Sequence, residues 1–442
     1  LNLMKIMKIM VPFYSHRATA AAVLTVALAW VAPTSSALVS FPDQPHPRSS
    51  FIAKSLLVVG SVIQPSSVNA FVSDASSSKS YSPSSSAASM SRGDSSNIDK
   101  TTVVYQPLSV SVSGVDVPVA AWHPTALIED STTATTLQPL ESYKHRISVQ
   151  KIGKKLAGWN FIPSFANRNF SLKPGAQNNN LRVVTPTQQQ QQLPSSPVVI
   201  LSHGYLGSRF DLYPLAEALA SEGFLVLSPE YPESLVDSFD AAIIDPSSGE
   251  IQTIIDRDMI TNQLLLTLKQ TWEVTPTSFG IVGHSLGCGT AERSGDDSWI
   301  RVCLAGFPSS RGNGSKCLFV GSTNDGAVSV NRALSVLSDN NYVSLEEDRI
   351  RTMMAEGQQL PTLPPKASLI FAGADAPNHI SFLSEETNDA MVDFLSPLLP
   401  VARGLKIPVL DFDKYQLSRD SKACGDVVVP LVVGYLKQTM NV

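Results

Sequence analysis

Hydrophobic and polar positions fall into two rhythms beyond residue 100. Thr102 to Ala121 alternates apolar and polar in two bursts around Ser113-Gly114, which predicts a β-hairpin. Pro197-Val-Val-Ile-Leu-Ser-His-Gly-Tyr-Leu-Gly207 is different, with four consecutive apolar residues running into a glycine-rich turn. Such a run suits a strand buried on both faces. Phe224 to Pro229 and Ser278 to Ser285 repeat the pattern, as do Trp299 to Ala305, Lys316 to Val320 and Ala367 to Ala372. Between them lie helical periods. Leu212, Leu215 and Leu219 share a stripe over Asp211–Ser221, with Gly223 as a stop. Thr253 to Trp272 predicts a long helix carrying Ile254, Ile255, Met259, Leu264, Leu265 and Leu268. Alternating strands and helices predict an α/β fold: a mostly parallel, twisted sheet with helices on both faces. This α/β domain is expected to span 101–442, interrupted by an irregular polar insertion at about 126–196 that closes in the glutamine-rich loop Thr185–Pro197.

One of these strands delivers the chemistry. Gly280-Ile-Val-Gly-His-Ser-Leu-Gly-Cys-Gly-Thr290 holds Gly-x-Ser-x-Gly, a pattern that chance supplies in many long chains. It gains meaning because a strand feeds it, and Gly283 and Gly287 permit the sharp turn that lifts the Ser285 hydroxyl above a sheet. The segment after it leaves room for only a very short helix. A serine nucleophile needs a base and an acid, which follow in the order Ser, Asp or Glu, His on this kind of sheet. Of seven histidines, only His379 lies beyond the turn, in the loop Gly373-Ala-Asp-Ala-Pro-Asn-His379 after a buried strand. His379 is therefore the candidate base. Asp325 follows the strand from Lys316 and is the candidate acid, with Asp375 in the histidine's own loop as the alternative; Asp296 and Asp297 precede a strand and are misplaced. An oxyanion needs preorganised donors. These are expected to be the backbone N–H groups of Leu286 and of Tyr205, with His203 bracing the latter's loop.

Several pieces resemble the platelet-activating-factor acetylhydrolase and dienelactone-hydrolase-like group of the α/β-hydrolase superfamily. Val117-Pro-Val-Ala-Ala-Trp-His-Pro-Thr125 is similar to that group's early strand, with His123 where tyrosine is usual. Ser202–Phe210, Leu219–Val226 and Gly283-His-Ser-Leu-Gly287 are similar to its oxyanion strand, following helix and elbow. Chlorophyllases share much of the pattern. The resemblance covers roughly residues 101–395 and implies an α/β-hydrolase fold and a serine carboxylester hydrolase. The substrate it implies is a lipid or lipid-like ester, with release of phytol from chlorophyll as the alternative. One departure is visible. The acetylhydrolases place their acid after the strand following the elbow, and here that strand ends Leu304-Ala-Gly-Phe-Pro-Ser, without one. A binding protein on the same fold, without catalysis, is the rival from another class.

Composition narrows the partners. Net charge is −5, which argues against nucleic acid, whose phosphates need a basic surface. No metal-ligand spacing or phosphate loop occurs, so no cofactor and no metal is expected. The four cysteines, at 288, 303, 317 and 424, read first as buried free thiols, although export would permit one or two bridges. Lys144 to Ile162 carries Ile152, Leu156 and Trp159 on one helical face beside five basic residues. Such a segment either lies on an anionic membrane or packs on the core as an insertion with solvated lysines.

The N-terminal region is an address. The chain starts at Leu1, as a fragment or a translated gene model would, with Met4, Met7 and Met10 as candidate starts. Lys5, Lys8 and Arg17 precede the apolar run Ala18–Ala32 and then small residues, the three-part form of a secretory signal. Asp43 is the only acid before Asp74, and serine is dense from Ser73 to Ser96. Acid-poor, serine-rich composition is that of a transit peptide. Residues 1–72 are thus expected to be a targeting region for the secretory route. A plastid is the expected destination, with Ser55–Phe71 as a candidate thylakoid-type signal and plain secretion as the alternative. Residues 73–100 are expected to be a disordered linker.

Overall fold

The structure, a computed structural model, describes residues 102–442 except 126–136, 158–161, 176–180, 185–195, 245–246, 249–250, 312–314 and 396–417. The targeting region, the serine-rich linker and the glutamine tract lie outside the described residues. Ser113 and Gly114 take φ of 50° and 83°, the paired positive angles that close a two-residue hairpin. They join β1 (Val103–Val112) to β2 (Val115–Pro124), with Val112 opposite Val115.

The buried apolar runs form β7 (Val198–Ser202), β8 (Leu225–Pro229), β11 (Phe279–His284), β12 (Ile300–Leu304), β13 (Lys316–Ser322) and β15 (Lys366–Phe371). With β3 (Leu137–Pro139), β6 (Arg182–Val184) and β14 (Val343–Leu345) they make an 11-stranded sheet in the order β14-β15-β13-β12-β11-β7-β8-β2-β1-β6-β3. From β14 to β8 every pairing is parallel, and β2 meets β8 antiparallel. Successive residues on a strand face opposite sides. Val199 and Leu201 accordingly join one core with Leu215, Leu219, Leu431 and Leu436, while Val198 and Ile200 join another with Ile260, Leu264 and Leu268. The first core is roofed by α2 (Tyr213–Ser221) and α8 (Ser421–Met440), and the second by α3 (Arg257–Gln270). Both faces of the sheet are covered, which is why its central strands read as unbroken apolar runs.

Two sequence expectations change. The helix predicted from Thr253 begins at Arg257, because Asp256 caps it by accepting from the Met259 N–H at 2.8 Å. Ile251 to Ile254 form instead the exposed strand β10, paired with β9 (Ala242–Ile244). The described residues of the insertion are not irregular either. Besides β3 and β6 it holds β4 (Tyr143–Ile147), paired antiparallel with β5 (Arg168–Leu172), and α1 (Val149–Ala157). Tyr143 anchors it by accepting from Trp122 Nε1 at 2.9 Å and donating to Glu217 at 2.7 Å. Lys144 to Ile162 is therefore not one helical face, since its first residues are strand. Ile152 is buried, Lys155 Nζ donates to the Pro232 carbonyl at 2.8 Å, and Lys151 Nζ donates to those of Val236, at 2.8 Å, and Phe239. Those ammonium groups hold the 232–239 loop, which is the packed alternative; Trp159 lies outside the described residues. Among the described residues no helix is long and apolar enough to cross a membrane.

Cys288 and Cys303 are joined in a disulfide, whereas Cys317 and Cys424 are free and buried. The free-thiol expectation thus holds for only the second pair. The bridge ties the helix after the elbow, α4 (Leu286–Arg293), to the neighbouring strand β12.

Candidate active site

At the carboxyl end of β11 the chain turns through Ser285, whose φ is 53° and ψ is −117°. A positive φ on a residue with a Cβ is stored strain of about 1–3 kcal/mol. The surroundings enforce it, because the Ser285 N–H donates to the Leu304 carbonyl at 2.9 Å and α4 leaves at once. Both flanking glycines are required by contact. A Cβ on Gly283 would lie 2.3 Å from the Gly287 carbonyl carbon, and one on Gly287 would lie 1.9 Å from the Ser202 carbonyl oxygen. Gly287→Ala is therefore expected to destabilise the fold by about 3 kcal/mol, since the atoms in its way are Ser202 and His203 backbone rather than a flexible side chain. An unshifted urea midpoint would contradict that contact. The helix after the turn is short, as its sequence suggested. The buried Arg301 ends it by donating to the carbonyls of Ala291 at 3.0 Å and Ser294 at 2.7 Å.

Three side chains from three strand ends meet here. His379 Nε2 is 2.9 Å from Ser285 Oγ, and its Nδ1 is 3.0 Å from both carboxylate oxygens of Asp325. The His379 and Asp325 side chains are 4% and 3% exposed, so their hydrogen bond is shielded from water. Asp325 Oδ1 also accepts from the N–H groups of Ala327 at 2.9 Å and Val328 at 2.8 Å, which fixes the carboxylate plane. Asp375 is elsewhere: its side chain is 78% exposed and pairs with Arg419 at 3.2 Å. Asp296 is spent on the Ser298 turn and Asp297 on Arg311.

Neighbours lock this line in place. Asn324 Nδ2 donates to the carbonyls of Ala374 at 3.2 Å and Ala376 at 3.0 Å, stitching the acid's loop to the histidine's. Asn378 caps the short 3-10 turn that begins at His379. His284 Nε2 donates to the His379 carbonyl at 3.1 Å. Burial drives the His284 imidazole down to about 3, so it serves as a neutral brace. His203 is likewise neutral, because burial holds it well below its usual value and its Nε2 accepts from the Tyr231 N–H at 3.0 Å. Its 3.7 Å approach to Glu230 is then no ion pair, and the Glu230 carboxylate is answered by Arg209 at 2.7 Å. His203 Nδ1 donates to the Gly204 carbonyl at 2.8 Å, the bracing role expected of it. The N–H groups of Tyr205 and Leu286 donate to no acceptor among the described residues.

A cleft of about 760 Å³, open to solvent, lies over Ser285. Ile147 and Ile152 of the insertion form part of its wall with Leu206, Leu235, Ile380 and Leu383. Its polar lining includes His145, driven down to about 3 by burial, and Asp211, pushed up to about 7 by burial despite bonds from Ser208. The structure brings together Ser285, His379 and Asp325, the candidates named from the sequence, and adds Asn324, His284 and Arg257 around them. Arg257 opens α3 beneath the 202–204 strand end and donates to the His203 carbonyl at 2.9 Å. Asn324 and His284 adjoin Asp325 and Ser285 in sequence, whereas only the fold brings Arg257 to the site.

No protein-family model matches the chain, and no curated protein matches it. Among solved structures it is similar to a ferulic acid esterase from Streptomyces cinnamoneus, at 16% identity over 78% of this chain and 91% of that one, with a TM-score of 0.38. A dienelactone-hydrolase-like promiscuous phosphotriesterase from metagenomic libraries gives 12% identity over 76% and 97%, with a TM-score of 0.35. A putative dienelactone hydrolase from Klebsiella pneumoniae gives 10% over 66% and 97%, with a TM-score of 0.30. The assignment of fold rests on the molecule itself: a strained serine elbow after a central parallel strand, with the acid and then the histidine after later strands, is the arrangement of the α/β-hydrolase fold.

Proposed function

We propose that this protein is a serine carboxylester hydrolase working through an acyl-enzyme. The observation that carries the reading is the hydrogen-bonded line from Ser285 Oγ through His379 to Asp325. In this mechanism His379 Nε2 takes the hydroxyl proton as Ser285 Oγ attacks the ester carbonyl, and Asp325 stabilises the imidazolium that forms. The tetrahedral oxyanion is received by the N–H groups of Tyr205 and Leu286. Collapse expels the alcohol, protonated by His379. Water, deprotonated by the same imidazole, then releases the acid and restores Ser285.

The apolar cleft wall supports a lipid-like acyl group, and Leu286, next to the nucleophile in sequence, is an apolar side chain left 42% exposed. We further propose that the chain is exported through the secretory route on its N-terminal signal, with a plastid as destination.

The test is hydrolysis of a chain-length series of p-nitrophenyl esters by the full chain, with fluorophosphonate labelling read by peptide mass. Labelling of Ser285 and an optimum at long acyl chains is the expected result. An optimum at acetate would exclude the lipid-like acyl group. Total inertness with no adduct would leave a binding protein as the better reading.

A further inference from the structure

Arg257 is a buried cation that the proposed mechanism does not use. Its side chain is 5% exposed, and its Nε pairs with Glu233 at 2.9 Å. Nη1 donates to the His203 carbonyl at 2.9 Å, to Ser202 Oγ at 3.2 Å and to Thr290 Oγ1 at 3.4 Å. Nη2 donates to the Gly204 carbonyl at 3.3 Å, and the guanidinium lies 4.5 Å from the Tyr231 ring centroid. Burying a charge is costly unless its partners are excellent, and here three of them are the consecutive residues Ser202, His203 and Gly204.

The Gly204 carbonyl oxygen is the centre of that arrangement. It accepts from Arg257 and from His203 Nδ1 at 2.8 Å, with the Gly207 N–H at 3.3 Å as a third donor. This carbonyl and the Tyr205 N–H are the two ends of one peptide unit. A planar trans peptide points its C=O and N–H in opposite directions. Donors that hold the oxygen on one side therefore aim the N–H to the other. The elbow is close by, since a Cβ on Gly204 would lie 3.1 Å from Ser285 Cβ. A cation hydrogen-bonded to the carbonyl also polarises the peptide and strengthens its N–H as a donor, an effect that grows where water is excluded.

We propose that Arg257 is a positioning residue for catalysis, fixing and polarising the Gly204–Tyr205 peptide so that the Tyr205 N–H receives the oxyanion. The inference rests on the serine-hydrolase reading and adds a residue to it. It makes a claim about the transition state rather than about substrate binding.

The experiment compares the unmutated full chain with Arg257→Gln and Arg257→Lys. Measurements are kcat and KM for p-nitrophenyl butyrate, the inhibition constant of a trifluoromethyl ketone that mimics the oxyanion, and the urea midpoint. Arg257→Gln is expected to lower kcat by about 10²- to 10³-fold with KM nearly unchanged, the loss typical of one oxyanion donor. Ketone affinity should fall with kcat. A lysine cannot reach Glu233 and both loop carbonyls together, so Arg257→Lys should lose about tenfold in kcat and in ketone affinity while staying folded. It decides the matter if the glutamine variant does not fold. A folded variant with kcat and ketone affinity within threefold of the unmutated protein would overturn the proposal, as would a rise in KM alone. An unmutated chain inert to all esters would overturn the hydrolase reading and this proposal together. An active unmutated chain beside an equally active Arg257→Gln would overturn this proposal alone.

Discussion

Ser285→Ala is expected to lower kcat for a p-nitrophenyl ester by roughly 10⁶-fold, and His379→Ala by a similar factor, with the urea midpoint nearly unchanged. The reason is the continuous line of hydrogen bonds from hydroxyl to imidazole to carboxylate. Without the hydroxyl there is no atom to acylate, and without the imidazole its proton has no destination. Because the groups act as a unit, the double variant should be little worse than either single one. Asp325→Asn should cost about 10⁴-fold: the amide keeps the shape but favours the wrong imidazole tautomer. Asp375→Asn discriminates between the two candidate acids. Its carboxylate is exposed and paired with Arg419, so activity within twofold is expected. Equal losses at 325 and 375 would sink the assignment of the acid. A Ser285→Ala variant within tenfold of the unmutated protein would sink the serine mechanism.

Ser285 and His379 were legible because chain order constrains them: one elbow, and one histidine beyond it. Asp325 was legible from its place after a buried strand, though only the fold separates it from Asp375. The central strands declared themselves because both faces are covered, so that Val198 to Leu201 had no polar position to give. Other features were hidden for physical reasons. Arg257 stands at a helix start, where arginine is ordinarily solvated, and the pairing of β7 with β11 brings it under the glycine loop. The Cys288–Cys303 bridge depends on the adjacency of β11 and β12, which a separation of 15 residues does not reveal. The helix of Ser421–Met440 contains Val-Val-Val-Pro430 and Gly434, which read locally as strand and breaker. Burial of Val427, Leu431, Val432, Tyr435 and Leu436 on the sheet overrides that preference. Asn324 opens an Asn-Asp-Gly run, whose local chemistry is that of a turn, and only the fold shows that its amide joins two loops.

Acid is expected to unfold this protein steeply, beginning well above the range where carboxylates titrate. Burial drives His123 down to about 4, drives His145 and His284 down to about 3, and holds His203 well below the usual 6.5. The sign follows from which state holds the proton. Between pH 6.5 and about 4 the unfolded chain binds protons at these four imidazoles and the folded chain does not. Stability therefore falls as pH falls through that window. Asp211 acts in the opposite direction. Burial pushes it up from 3.8 to about 7, so the folded state holds a proton that the unfolded state lacks; its contribution is present in acid and lost as pH rises through 7. Four imidazoles against one carboxyl leave a net uptake of about three protons on unfolding, or about 4 kcal/mol per pH unit at most. Two such units would remove up to about 8 kcal/mol, which is comparable to the whole stability of an ordinary domain. Urea midpoints at pH 7.5, 6.5, 5.5 and 4.5 measure the slope, and a flat or rising stability toward acid would refute it. His123→Phe isolates one proton away from the reacting groups. Among the described residues His123 Nε2 is buried without a hydrogen-bond partner, and Nδ1 makes one long bond, to the Pro124 carbonyl at 3.3 Å, so the phenyl ring should lower the pH 7.5 midpoint only slightly while flattening the acid slope by one proton. An unaltered slope in that variant would mean that His123 is not held neutral in the fold.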